Sequence, residues 1–387
     1  MLYVGIDVSS QKHDCCIINS QGQSDVFSFQ NNQKGFDLLM SRISESPNKT
    51  CIGLEATGIY GANLSAFLRR KGFVITTFNP LNIKKLIEAN TLRKTKTDKS
   101  DSVFIARLMM QQTFKPDTPV LYHTSELKSL SRLRFNLVKS RSVAKTKCKS
   151  ALMRTFPEFI GFFSDCFGAT ALAILSKYPT ACDIAACRKS TLTKILKDAS
   201  KGRFSTAKSD ELISCAKSSI GTYSVAVAME ISFLVSDIIY ISDKIKRVET
   251  EINNLMGQID TTITTIPGIG QILGAMILGE IGDIGNFDSP YKVLAFAGLE
   301  PSIYQSGKFI PSSGNMVKRG SPYLRWALIQ SARLAAQNCP TFSDYLDKKR
   351  SEGKHYNVAV SHLAKKLVRV MFTLLSNNVA FDINFSA

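Results

Sequence analysis

Apolar and polar positions at the start of the chain fall into short strand-like runs. Leu2–Val8, Asp14–Asn19 and Asp25–Phe29 read as three strands, with turn residues Ser20-Gln21-Gly22 between the second and third. The period then changes. Gln33–Ile43 reads as a helix, Cys51–Leu54 as a fourth strand, Gly61–Arg70 as a helix and Phe73–Phe78 as a fifth strand ended by Asn79-Pro80. Helices are predicted over Leu81–Ala89 and Asp98–Gln111. Three strands and a helix, followed by alternating strands and helices, predict an α/β fold: a mixed sheet with helices packed on it.

Beyond residue 115 the pattern is helical. Leu127, Leu130, Leu133 and Leu137 mark an apolar stripe, continued less strictly by Ala144, Cys148, Ala151 and Leu152. Leu234, Ile238, Ile241, Ile245, Val248, Ile252, Leu255 and Ile259 follow at spacings of 4-3-4-3-4-3-4, a heptad seam that must be buried against another helix. Its partner is either a second copy, as a coiled coil, or a helix of the same chain. Phe156–Ile220 contains short helix-like pieces that either join the flanking units or cap the basic helices. From Thr264 onward, Gly-rich turns separate helices predicted over Ile272–Ile281, Tyr323–Ala336 and Val358–Leu375. The expected organisation is a mixed-sheet domain over 1–115, a helical linker and coiled-coil region over 120–260, and a mainly helical C-terminal domain over 261–387.

Composition narrows the function. The nine cysteines are too few and too scattered for a disulfide scaffold and read as reduced, mostly buried thiols. No signal-like segment opens the chain, and the most apolar run, 223–241, is interrupted by Glu230 and Asp237, so a cytoplasmic protein outside the membrane is expected. The formal net charge of +18 points to a polyanionic partner. That charge is concentrated. Lys128, Arg132, Arg134, Lys139, Arg141, Lys145, Lys147, Lys149 and Arg154 fall within 128–154, which has no Asp or Glu. Basic side chains around an apolar stripe give one face for packing and another for phosphates.

Acidic residues supply the chemistry. Asp7 sits inside an apolar strand, where a carboxylate is costly unless it binds a cation or receives hydrogen bonds. Alternation places Tyr3, Gly5 and Asp7 on one face. Glu55 follows the strand Cys51–Leu54, and Asp98 and Asp101 are spaced to share one face near the start of a helix. Two strand edges and a helix thus offer four hard oxygen donors, suited to Mg²⁺ or Mn²⁺ at a scissile phosphate.

A second chemical module is predicted near the C-terminus. Gly268-Ile269-Gly270 leads into a helix and offers backbone N–H groups to a phosphate, or serves as a hairpin between helices. Ser306-Gly307 can present a hydroxyl in a tight turn, with Lys308, Lys318, Arg319 and Arg325 available for phosphate. An ordinary turn serine is the other reading of Ser306, and Ser302, Ser312 and Ser313 stand nearby.

Three blocks carry a resemblance: Tyr3–Ser9 with Asp7; Glu55-Ala56-Thr57-Gly58; and Lys96-Thr97-Asp98 with Asp101 and Ile105-Ala106. They resemble the IS110-family transposases. The stretch Thr265–Arg325, with Gly298-Leu299-Glu300-Pro301, Ser306-Gly307 and Lys318-Arg319-Gly320, is similar to their C-terminal domain. Gly320-Ser321-Pro322 departs from the usual Gly-Asn or Gly-Asp. The resemblance implies an RNase H-like, RuvC-like domain whose DEDD set is Asp7, Glu55, Asp98 and Asp101. It also implies a nucleophilic serine, best matched by Ser306, that links covalently to DNA. A structured guide RNA and a homo-oligomer, a dimer assembling to a tetramer, are expected as partners beside DNA. Competing readings are a structure-specific endonuclease working through the carboxylates alone and a nucleic-acid-binding regulator.

Overall fold

β1 (Leu2–Val8) runs through the middle of a five-stranded sheet with the order β3-β2-β1-β4-β5. β2 (Lys12–Asn19) and β3 (Ser24–Gln30) extend it antiparallel on one side, while β4 (Thr50–Glu55) and β5 (Ile75–Phe78) add in parallel on the other. This mixed sheet follows from the connections. Tight turns join β1, β2 and β3, whereas α1 (Gln33–Arg42) and α2 (Ala62–Arg70) bridge the parallel strands. The computed structural model describes residues 1–55, 60–78, 80, 83, 98–114, 122–301 and 316–383, the side chains of 98, 99 and 122 excepted. The helix expected over Leu81–Ala89 falls, but for Ile83, outside the described residues.

The sheet is covered on both faces. Val4, Ile6, Val8, Ile52 and Leu54 pack with Phe36, Leu39, Leu64, Phe67 and Leu68 of α1 and α2. Against the opposite face lies α3 (Asp98–Gln111), whose Ile105, Leu108 and Met109 pack with Tyr3, Cys51 and Phe78. Ala106 and Val103 of α3 meet Cys16 and Ile18 of β2. An α/β sheet buried by helices on both sides is the predicted RNase H-like arrangement. It forms one compact unit, Met1–Pro119; Val120–Ala387 forms the other.

The second unit is built on two long helices, α4 (Tyr122–Thr155) and α10 (Val225–Met256). Between them in sequence come α5 (Phe159–Phe162), α6 (Ala169–Leu175), α7 (Ala181–Ala186), α8 (Lys189–Ala199) and α9 (Thr206–Lys217). These short helices bury Phe156, Phe159, Ile174, Leu192 and Leu212 together with Cys148 and Leu152 of α4 and Ile231 and Val235 of α10. Phe156–Ile220 thus caps one end of the helix pair. Arg134–Glu249 and Arg141–Ser242 contacts set α4 and α10 antiparallel. The heptad seam of α10 is consumed within the chain: Ile252 and Leu255 pack with Leu127, and Ile238 joins the short-helix core. α10 is also long and apolar enough to cross a bilayer by length and composition alone.

The C-terminal part contains α11 (Gln271–Ile281), α12 (Pro290–Ala297), α13 (Pro322–Asn338), α14 (Pro340–Ser351) and α15 (Tyr356–Asn377). They enclose one core, which includes Ile277, Leu294, Leu328, Phe342, Leu363 and Met371. α14 was not predicted. It fully buries only Phe342, with Tyr345 and Leu346 partly buried beside it, so its apolar period lasts a single turn, although Pro340 in its first turn is a helix-start signal. All nine cysteines are unpaired. Burial pushes Cys16 up to about 11 and Cys148 up to about 12, so these thiols stay protonated.

Candidate active site

Two glycines make room for the helix that carries half of the predicted ligand set. Gly5 and Gly53 lie opposite each other on β1 and β4. A Cβ on Gly5 would collide with the Ser102 carbonyl oxygen and Ala106 amide nitrogen, and one on Gly53 would come within 2.7 Å of Ile105 Cγ2. The absent side chains therefore seat the backbone of α3 directly on the sheet. Gly5→Ala is expected to destabilise the protein by about 1–3 kcal/mol through overpacking. Urea unfolding checks this, and an unchanged midpoint would contradict the seating.

Met109, Met110 and Gln111 in the last turn of α3 share a cleft with Met1, Tyr3, Thr50 and Cys51 at the amino ends of β1 and β4. Its first turns therefore point toward the carboxyl ends of those strands, where Asp7 and Glu55 lie. Both follow their glycine by two residues, which puts them on the α3 face. Asp7 and Glu55 are half-buried, and Asp101 is 4% exposed. Ser100 Oγ donates to Asp101 Oδ1 at 3.3 Å. Asp98 opens α3 by its backbone, and its side chain lies outside the described residues.

Oxygen donors at two adjoining strand ends and on the helix above them fit Mg²⁺ or Mn²⁺ in kind. Among the described residues, no three His, Cys, Asp or Glu side chains converge closely enough to hold an ion. The strand and helix placement is thus present, while the predicted ligand set includes Asp98, whose side chain lies outside the described residues.

Asp14 is a further acid on this face, missing from the predicted set. It pairs directly with Asp7 across β1 and β2 and is 3% exposed. Ser28 Oγ donates to it, and Lys12 Nζ lies 3.6 Å away. The signal was present in the alternation of β2: Cys16 and Ile18 face α3, so Asp14 does too. His13 points to the other face, buried between Phe29 and Phe36. Burial lowers its pKa against the opposing pull of Asn31 and Asp14.

In the second unit, the predicted phosphate-binding residues divide into two groups. Arg132 donates to both carboxylate oxygens of Glu280, and Arg134 to Glu249 at 2.7 Å. Arg141 reaches Ser242 Oγ at 3.3 Å, and Lys145 lies over the Phe167 ring at 5.5 Å. Lys139, Lys147 and Lys149 are exposed, and Lys128 is half-buried. The arginines are drawn into packing of α4 against α10 and α11, whereas the exposed lysines remain open to solvent.

Glu280 is the hub of that packing. It is 2% exposed and also accepts from Ser321 Oγ at 2.7 Å. Burial pushes its pKa up, but Arg132, Ser321 and Lys128 outweigh this and hold it below the usual carboxylate value. Arg132 in turn lies over the Tyr323 ring at 4.7 Å. Ser321 also caps α13 by accepting from Leu324 N at 3.1 Å, which gives the Gly320-Ser321-Pro322 departure a local structural role.

Ser306, Lys308 and the rival serines Ser302, Ser312 and Ser313 lie outside the described residues. The chain flanking them is fixed: Pro301 and Met316 form an antiparallel bridge, and Val317 N donates to Glu300 O at 2.9 Å. Arg325 clasps this base by donating to the carbonyls of Ala297 and Lys318, at 3.1 and 3.2 Å. Lys318 and Arg319 are exposed beside it. Gly268 adopts φ +88° against α13, where a Cβ would come within 2.6 Å of the Leu334 carbonyl carbon. Gly270 precedes α11 in open space.

Two family models match this chain. A DEDD transposase model of IS110 type covers residues 4–157, and the model described as "Transposase IS116/IS110/IS902 family" covers 260–347. The chain is 23% identical to the insertion element IS116 uncharacterized 44.8 kDa protein of Streptomyces clavuligerus, over 98% of this chain and 96% of that one. It is 22% identical to the pilin gene-inverting protein of Moraxella lacunata, over 98% and 97% of the two chains. The transposase for insertion sequence element IS1328 of Yersinia enterocolitica is 31% identical over 37% of this chain and 44% of its own.

Proposed function

Because this chain belongs to the IS110/IS116/IS117 family of DEDD transposases, we propose that it cuts and rejoins DNA at the ends of an insertion sequence with divalent metal. The observation that carries this reading is the sheet edge. Asp7 and Glu55 lie at the carboxyl ends of adjoining parallel strands, with Asp101 on the helix seated over both. A divalent ion held by Asp7, Glu55, Asp98 and Asp101 would polarise the scissile phosphate.

Ser306 is the proposed nucleophile. Its Oγ forms a bond to phosphorus as the bond from phosphorus to the leaving sugar oxygen breaks. The serine proton passes to solvent, and the leaving oxygen takes one up. The phosphodiester energy is thereby kept in the serine–DNA link, and attack by another strand's hydroxyl reverses the step. Lys318 and Arg319 neutralise phosphate charge, while Arg325 acts as a positioning residue through the Lys318 carbonyl. A relative named for inverting a pilin gene supports exchange of strands rather than simple cutting.

The exposed lysines of α4 are assigned to nucleic acid, including a structured guide RNA. The protein is assigned to the cytoplasm as a homo-oligomer that holds two DNA sites together. Phe233 and Tyr240 on α10, 64% and 60% exposed, support such self-association. The second reading is hydrolysis by the carboxylates alone, supported by the acids Asp7, Glu55 and Asp101 gathered on one face at the carboxyl ends of β1 and β4.

Capture of labelled DNA after denaturation separates the two. Ser306→Ala is expected to lose capture while Ser302→Ala, Ser312→Ala and Ser313→Ala retain it. Capture retained by Ser306→Ala would sink the nucleophile assignment.

A further inference from the structure

The second family match ends at residue 347, and α15 lies wholly beyond it. This helix carries no Asp or Glu from Tyr356 to Asn377. Val360, Leu363, Leu367, Met371 and Leu374 bury one side of it in the C-terminal core. Helical spacing therefore turns Lys365, Lys366 and Arg369 away from that seam. Lys365 and Arg369 are four residues apart, about 6 Å along the axis.

The neighbouring helix adds charge of the same sign. The last turn of α14 carries Lys348, Lys349 and Arg350. Glu352 answers Lys349 at 2.8 Å and Lys354 at 3.5 Å. Among the described residues, no carboxylate is within ion-pair distance of Lys365, Lys366 or Arg369; the nearby acid is already engaged by other cations.

Aromatic rings lie among these cations. Lys349 and Lys366 both approach the Tyr345 ring, at 5.6 and 5.1 Å from its centre. Arg369 lies 5.9 Å from the centre of Tyr291, which is 63% exposed. Crowding of like charge is visible in the titration of the helix. Burial lowers the pKa of Lys365 and the charge of Arg369 lowers it further. His362 is lowered by burial and then by Lys365, Lys354 and Lys349. An anion would relieve this repulsion, and rings interleaved with cations suit a sugar–phosphate chain better than an isolated small anion.

We propose that the α14–α15 face binds the phosphodiester backbone of a nucleic acid, with Lys365, Lys366 and Arg369 contacting phosphates and Tyr345 and Tyr291 lining the track. The proposal rests on the nucleic-acid partner in the function above. It is independent of Ser306 and of the metal. It also differs from the α4 face, whose arginines are tied to Glu280 and Glu249.

The test is binding of the full chain to labelled duplex DNA and, separately, duplex RNA, titrated with salt in EDTA so that no cleavage chemistry contributes. The variant is Lys365→Gln/Lys366→Gln/Arg369→Gln. A companion, Lys366→Gln/Arg369→Gln, leaves the partly buried Lys365 in place in case the triple variant folds poorly. The triple variant is expected to bind about 10- to 100-fold more weakly at 0.15 M salt. On duplex DNA the salt slope should fall by about 2 to 3, near 0.9 for each phosphate contact removed. Loss on DNA alone, RNA alone or both supports the surface and identifies which backbone it takes. Unchanged affinity and slope on both would overturn it. So would an equal loss in Lys194→Gln/Lys197→Gln/Lys217→Gln, which removes the same charge from α8 and α9. Failure of serine capture with this binding loss intact would count against the proposed chemistry alone.

Discussion

Asp7→Asn is expected to lower metal-dependent strand cleavage by about 10²- to 10³-fold, the scale on which loss of a charge-stabilising group acts. Asparagine keeps the shape of the side chain and removes its charge, so an ion loses a hard anionic ligand while the strand stays packed. Asp7 is half-buried on the α3 face, opposite the buried Asp14. Urea unfolding of the variant, run alongside, separates a loss of chemistry from a loss of fold. Binding to DNA in EDTA should be unchanged, because the phosphate contacts assigned here are elsewhere. Single-turnover cleavage in Mg²⁺ provides the measurement. Near-wild-type cutting by Asp7→Asn would remove this residue from the chemistry.

The second large effect is on stability. Arg132→Ala leaves Glu280, 2% exposed, with Ser321 as its remaining hydrogen-bond donor. Removing one partner of a buried pair strands the other charge, and a loss of about 3 kcal/mol is expected, the lower end of the usual range because Arg132 is partly exposed. That is a substantial part of a typical folding free energy of about 5–15 kcal/mol. Arg132→Met/Glu280→Met should recover much of it, since both charges leave together.

The pH dependence follows from the same pair. Glu280 is held below its ordinary value of 4.5, so the unfolded chain takes up a proton at a pH where the folded one does not. Its stabilising contribution is complete above about 4.5, near the unfolded carboxyl value, and declines as pH falls through the lower folded value. Urea unfolding from pH 7 downward should show the wild type losing this contribution, while Arg132→Met/Glu280→Met lacks that part of the acid dependence. Parallel loss in both would contradict the assignment.

The local part of this architecture is legible in the sequence because alternation belongs to each strand by itself. The runs around Asp7 and Glu55 announce their strands, and Asp98 and Asp101 announce the helix face. The seating of α3 is less legible: Gly5 and Gly53 have meaning only once β1 and β4 are adjacent. A heptad seam likewise states that a partner exists without saying which one, and here α4 is a partner within the chain. Arg132 and Arg134 look like solvent-facing cations because Glu280 and Glu249 are remote in sequence. α14 is hidden for the opposite reason, with a stripe only one turn long, Phe342, Tyr345 and Leu346, set among polar residues. Ser306 rests on motif resemblance, as its surroundings lie outside the described residues.

The most direct measurement is incubation of the protein with an internally labelled insertion-sequence end, with and without Mg²⁺, followed by denaturing separation. The proposed chemistry predicts label retained on the protein through Ser306, only when the metal is present. Label released solely as free fragments, or cutting unaffected by EDTA, would contradict it.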